Sequence, residues 1–336
     1  ALHIARGLLL VLDAATGSSG PATPFSRIWC GFEQSVALDD PDRDERMLLD
    51  IATCVGSQSQ LITDGIASAD ESHIFPTKAK AIRESKFPLE IFRVGLSTSL
   101  EQGQASNEED RVHILNCLAG RGLDQTPLEE HENYTRVNNK LRAVFAVAVW
   151  RLCVEKGMVA DMRLPYRLAA NEGMKLLALD FTGCQSLDHA NLLALTNGFP
   201  PGLERCHLML RECRHIGDGN TSTLAAGLPD SLTSLSVNFN ECIRLGDAGL
   251  AAISACLPLG LQSLNLSFWG CSRISDRAAA ALAQALPEGL HHLTLNFHCT
   301  GLTDSGVAAL AKCLPNRLKH FKLFCSMCDQ VGDAGA

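Results

Sequence analysis

Leu232-Thr-Ser-Leu235-Ser-Val237-Asn-Phe239-Asn-Glu-Cys242-Ile-Arg-Leu245-Gly-Asp247-Ala-Gly249-Leu250-Ala-Ala-Ile253-Ser-Ala-Cys256-Leu257-Pro258 carries two periodicities in succession. Leu235, Val237 and Phe239 alternate with polar residues, as a strand with one buried face requires. From Asp247 onward the apolar residues Leu250, Ile253 and Leu257 fall at helical spacing, behind an acidic residue suited to capping a helix N-terminus. Pro258 then disfavours helical geometry in the residue before it. The stretch predicts strand, turn, helix, turn.

The unit recurs. Cys184, Cys213, Cys242 and Cys271 stand 29 residues apart, Cys299 follows after 28, and Cys328 after another 29. The opening apolar position falls at Met174, Leu203, Leu232, Leu261, Leu290 and Leu318. The next two inward positions are Leu177/Leu179, Cys206/Leu208, Leu235/Val237, Leu264/Leu266, Leu293/Leu295 and Phe321/Leu323. Phe181, Phe239, Phe268 and Phe297 continue that series, with Leu210 and Cys325 in the same column. Asp218, Asp276, Asp304 and Asp333 take the capping position of Asp247, and Leu-Pro pairs at 228, 257, 286 and 314 stop each helix. A fixed period of this length is the signature of stacked supersecondary units rather than of a disulfide framework.

This pattern resembles the leucine-rich repeat family. Its length lies near the ribonuclease-inhibitor class, and its Cys, Ile and Asp-x-Gly positions look more like the cysteine-containing class found in F-box proteins. One departure is visible: the usual L-x-x-L-x-L-x-x-C is lengthened by two residues to L-x-x-L-x-L-x-F-x-x-C. The resemblance implies an α/β solenoid over residues 174–336, a curved parallel sheet with helices outside and strands about 4.8 Å apart. It also implies that cysteines at one repeat position stack in a buried column, as small apolar residues with a weak S–H donor. The sixth copy stops at Gly335-Ala336, before its helix is complete, so the repeats are expected to continue in a longer parent chain.

Composition narrows the function classes. The 336 residues carry 29 basic and 37 acidic side chains, a net charge of −8, which argues against a nucleic-acid partner. The longest apolar runs, Leu8–Leu12 and Ala143–Trp150, fall far short of the roughly 18 residues a membrane span needs. No basic segment precedes an apolar one at the amino terminus. Fourteen cysteines without a secretory signal fit reduced thiols and a cytoplasmic setting.

The polar positions between the inward ones form columns along the expected concave wall. One is Leu176, Arg205, Ser234, Ser263, His292 and His320; the next is Ala178, His207, Ser236, Asn265, Thr294 and Lys322. A third is Asp180, Met209, Asn238, Ser267, Asn296 and Phe324, and a fourth Thr182, Arg211, Asn240, Trp269, His298 and Ser326. Small polar groups around an aromatic anchor suit recognition of a protein or peptide, for which Trp and Arg are the usual hot spots. The candidate binding residues are Arg211, Asn238, Asn240, Asn265, Trp269, Asn296 and His298. The wall shows no catalytic grouping. Cys325-x-x-Cys328 beside His298-Cys299 offers four potential metal ligands, but repeat position already accounts for Cys299 and Cys328, so no metal, cofactor or small-molecule ligand is expected.

The first half reads differently. Gly7–Asp13 is a short apolar strand, Ala14–Pro24 a turn-rich loop, and residues 25–38 a helix. The motif formed by Ser26, Trp29, Cys30 and Glu33 resembles the middle of a TIR (Toll/interleukin-1 receptor) domain, which would make Glu33 the candidate for NAD cleavage. Asp39–Arg46 is a charged linker; Leu48–Val55 and Gln60–Ile66 are possible strands; residues 67–87 are weakly patterned. Asn107 opens a helix through Cys117, and Glu129–Glu155 forms a long one able to cover the first repeat. The organisation expected is a partial TIR-like α/β region at 1–104, a helical linker or cap at 105–173, and about six repeats at 174–336. A non-enzymatic interaction module in signalling or scaffolding leads. The alternatives are a substrate-recognition subunit of an SCF-type ubiquitin ligase and a TIR-like NAD-cleaving protein.

Overall fold

The computed structural model describes residues 6–13, 23–38, 47–328 and 330–332. The expected loop at 14–22, the linker Asp39–Arg46, the cap Asp333 and the truncated end of the sixth copy lie outside the described residues. The chain divides into two compact units, Ala1–Leu152 and Cys153–Ala336.

In the first unit β1 (Gly7–Leu12), helix α1 (Ile28–Leu38) and β2 (Leu48–Val55) form a strand–helix–strand crossover, with β1 and β2 parallel and Gly7 opposite Leu48. β3 (Gln58–Ile62) returns antiparallel to β2 through a turn at Gly56, whose φ of 62° suits glycine. Segment 67–87, weakly patterned in sequence, folds into α2 (Ser68–Glu71) and α3 (Pro76–Glu84). A long-range polar anchor holds it: Arg83 pairs with buried Asp70 at 2.7 Å and donates to the Leu61 carbonyl at 2.6 Å. The Arg83 guanidinium holds the Asp70 carboxyl below its usual range. After α4 (Glu90–Gly95) come α5 (Glu108–Ala119), capped by Asn107, and α6 (Glu132–Glu155), which starts three residues later than its sequence suggests. Ile28, Ile114, Leu115 and Tyr134 close a core there.

The second unit is the repetitive half. After α7 (Leu164–Ala169), five-residue strands β4 (Leu176–Asp180), β5 (Arg205–Met209), β6 (Ser234–Asn238), β7 (Ser263–Ser267), β8 (His292–Asn296) and β9 (His320–Phe324) form an open parallel sheet in chain order. Register is strict: Leu177, Cys206, Leu235, Leu264, Leu293 and Phe321 sit side by side. α8 (His189–Asn197), α9 (Asp218–Ala226), α10 (Asp247–Ala255), α11 (Asp276–Ala285) and α12 (Asp304–Lys312) follow the first five strands, each packing on its sequence neighbours.

The additional two residues per unit extend this ladder. Phe181, Leu210, Phe239, Phe268 and Phe297 are fully buried, and the last three rings stack at 5.8 and 5.5 Å. Their amides, and those of the residues two further on, bond to the next unit: Phe239 N to Ser267 O, Glu241 N to Trp269 O. The chain then turns through a left-handed residue at Gly183, Glu212, Glu241, Gly270, Cys299 and Met327.

That phase corrects the cysteine column. Cys299 belongs to the left-handed series, and the buried column runs Cys184, Cys213, Cys242, Cys271, Thr300, Cys328. The missing residue lies in the fifth unit after Thr300, not before Cys299. Thiols of Cys213, Cys242 and Cys271 donate to carbonyls of the preceding unit at Phe181, Leu210 and Phe239, at 3.0 to 3.2 Å. Thr300 bonds its own turn instead, at the Phe297 carbonyl, 2.7 Å away.

The aspartates also require correction. Each begins its helix rather than capping it; Gly217, Gly246, Ser275 and Thr303 are the N-caps. The carboxylates reach forward one unit. Asp218 accepts from Gly246 N and Gly249 N, Asp247 from Ser275 N and Oγ, Asp276 from Thr303 N and Oγ1, Asp304 from Gly332 N. Asp218, Asp247 and Asp276 each place a negative charge over the N-terminus of the next helix, where backbone N–H groups lack helical partners.

Gly249 explains the Asp-x-Gly motif: a Cβ there would sit 2.8 Å from Asp218 Oδ1 and 2.4 Å from Leu245 Cδ1. Gly249→Ala should therefore lower the denaturant midpoint, reversing the gain of about 1 kcal/mol that Gly→Ala gives in an unobstructed helix. A second expectation concerns the thiols. Burial pushes Cys206 and Cys271 up to about 12 and raises Cys242 as well. Alkylation of the native protein at pH 8, mapped by mass spectrometry, should label exposed Cys54, Cys117, Cys256 and Cys313 and spare the buried column.

Candidate functional site

The turns after β5 to β8 bring the fourth column into one row. Parallel strands lie about 4.8 Å apart, so Arg211, Asn240, Trp269 and His298 are successive neighbours. Trp269 is half-buried rather than standing free. The Arg211 guanidinium lies 5.4 Å from its ring centroid, a cation–π distance, and His298 meets it edge-on at 6.2 Å. Arg211 is itself held by carboxylates, with Glu212 at 3.3 Å and Glu241 at 3.8 Å. Those two glutamates occupy left-handed turn positions, so the backbone that terminates the strands also sets the charges around the tryptophan.

The asparagines divide into two kinds. Asn238 and Asn296 bend back on their own turns, each side-chain oxygen accepting from the amide two residues on, Asn240 N at 2.9 Å and His298 N at 3.0 Å. Asp180 does the same for Thr182 N at 2.8 Å. This is the usual Asx-turn behaviour. Asn240 works across units: its Oδ1 accepts from Ser267 Oγ at 2.6 Å and from Trp269 N at 3.0 Å. These oxygens build the turns that seat Trp269, so they are spent before a ligand arrives. Asn265, in mid-strand, is exposed. The structure therefore gathers Arg211, Asn240, Trp269 and His298 into one cluster, keeps Asn238 and Asn296 beneath it as scaffold, and leaves Asn265 apart on the open face.

Two histidine features had no sequence signal beyond their column. His292 and His320 stack at 4.8 Å, within 9° of parallel, and His207 Nε2 lies 3.2 Å from Met209 Sδ. Among the described residues no three His, Cys, Asp or Glu are placed to hold a metal ion. The Cys328 thiol donates to the Phe297 carbonyl at 3.0 Å. In the first unit Glu33 is exposed on α1, and Trp29 Nε1 donates to Asp110 at 3.3 Å. The Cys30 thiol is pushed up by burial first and by the Glu33 charge second. No helix among the described residues is long and apolar enough to cross a membrane.

No family model matches the chain, and no curated protein does. Solved structures match it; one is a chain in the crystal structure of the Rad7 and Elc1 complex in yeast. Identity is 20%, over 59% of this chain and 62% of that one, with a TM-score of 0.24. The chain thus spans under two thirds of the length of the protein it matches, and a likeness at that TM-score carries no argument about shared fold or function.

Asn240→Ala should lower stability by about 1 kcal/mol, since it strips a hydroxyl and a buried-side amide of their acceptor. Asn265→Ala should stay within about 0.5 kcal/mol of the parent. Chemical denaturation of the two variants side by side checks the distinction.

Proposed function

We propose that residues 174–336 form a leucine-rich-repeat solenoid that binds a protein or peptide on its strand face, without catalysis of its own. The observation that carries this reading is the seating of Trp269. A tryptophan at the centre of a row is gripped from one side by Arg211 and from the other by His298, while Asn240 fixes its backbone. Such an anchor loses little conformational freedom on binding, and rigid aromatic anchors of this kind dominate protein interfaces. The polar band of Ser234, Ser236, Ser263 and Asn265 beside it provides the small donors and acceptors that orient a ligand backbone.

The stacked-repeat reading rests on a 29-residue period, shortened once to 28 in the fifth unit, with sheet, phenylalanine, thiol and carboxylate columns kept in register across it. The outward residues of all six strands are exposed or half-buried, and the row stands at the end of that face. A role in signalling or scaffolding follows as the broadest class of work for such a surface.

Trp269→Ala should weaken retention of the main cellular partner at least tenfold, the loss expected for a hot-spot aromatic. Affinity capture with the wild type and the variant, quantified by mass spectrometry, is the check; indistinguishable partner profiles would remove this surface from consideration.

A further inference from the structure

The strand face has a charge character opposite to that of the chain. Three residues in each of the six five-residue strands point away from the buried side: eighteen positions in all. One of them is a carboxylate, Asp180, at the β4 edge, and its Oδ1 already accepts from Thr182 N. The cationic and titratable residues are Arg205 and Lys322, with His207, His292 and His320, all exposed. The rest are hydroxyls, amides and apolar groups. A chain of net charge −8 has therefore kept acid almost entirely off this sheet surface.

Three carboxylates that border the face are engaged. Glu204 pairs with Lys175 at 2.9 Å, and Glu212 and Glu241 flank Arg211. The spatial arrangement is also specific. Arg205 and His207 lie on β5; His292, His320 and Lys322 lie on β8 and β9; between them sit Ser234, Ser236, Ser263 and Asn265. Arg205 and Lys322 are four strands apart, about 19 Å at the usual spacing, which about six extended residues span. Charges that far apart exceed a Debye length of about 8 Å and act on separate ligand groups.

We propose that this face takes an extended acidic segment of a partner protein, lying across the strands, with carboxylates near both ends and small polar residues between. The inference rests on the protein-binding reading above and adds the chemistry of the partner. The basic pole at β5 meets one carboxylate, the β8–β9 pole meets the other, and the serine and asparagine band contacts the backbone. Electrostatic complementarity of this type mainly sets specificity and association rate, so binding should weaken as salt rises.

The test is selection of a random 16-residue peptide library on the full chain, followed by fluorescence anisotropy of the enriched peptides. Two variants accompany it: Arg205→Glu/Lys322→Glu, which reverses both poles, and Ser236→Trp, which obstructs the centre of the face and leaves the charges in place. Thermal melts establish that both fold. The proposal expects enriched peptides rich in Asp and Glu, affinity that falls with salt, and at least a tenfold loss on charge reversal. Neutral or basic peptides that Ser236→Trp blocks but charge reversal does not would overturn it while leaving the face a binding surface. Peptides indifferent to both variants, or no enrichment at all, would overturn it together with the reading beneath it. Tighter binding of a single-stranded RNA of similar length than of the enriched peptides would also overturn it.

Discussion

Each repeat is tied to its neighbours by groups that reach one unit along the stack. The inward columns provide the bulk of the cohesion: truncating a buried phenylalanine such as Phe268 typically costs about 3–5 kcal/mol. A charge-assisted hydrogen bond such as Asp247 to Ser275 contributes about 1.5–3 kcal/mol. The apolar term is larger but undirected; leucine columns alone would tolerate sliding. The carboxylates remove that freedom, because Asp218, Asp247 and Asp276 each find their N–H partners only when the next helix starts in register.

That register is what makes a site. The row Arg211, Asn240, Trp269, His298 exists because residues 29 apart are placed on adjacent strands, and its members meet although no two are close in sequence. The left-handed turn residues contribute in the same way. Glu212 and Glu241 adopt positive φ to end their strands, and from there their carboxylates bracket Arg211. Scaffold and surface are thus different uses of one geometry, and substitutions in the turns should be felt in the row.

Much of this was legible in the sequence. Alternation of Leu235, Val237 and Phe239 fixes which side of β6 is buried, and the period of 29 residues, with one step of 28 before β9, transfers that assignment to every strand. The helical spacing after Asp247 locates α10. Burial of apolar residues dominates these choices, and it leaves a direct trace in residue order. What escaped reading depends on groups brought together across units. The aspartates looked like caps for their own helices because capping is a local habit; only the stack shows that each serves the helix after it. Cys299 looked like a column cysteine because residue identity outweighed phase, whereas the strand starts at His292 and His320 put the missing residue after Thr300. The anchoring of α3 through Arg83, Asp70 and Leu61 joins residues up to 22 positions apart by polar contacts that no periodicity marks. Sequence spacing gives the columns, but that Asn238 and Asn296 spend their oxygens on their own turns is a choice made by backbone geometry.

The most direct measurement of the account is residue-resolved amide hydrogen exchange on the native chain. If carboxylates of one repeat hold the helix entrance of the following one, the amides of Gly246, Ser275 and Thr303 should exchange as slowly as those of the neighbouring strands. Exchange of these three amides at the rate of exposed loops would contradict the cross-unit fastening, and with it the in-register stack on which the binding row depends.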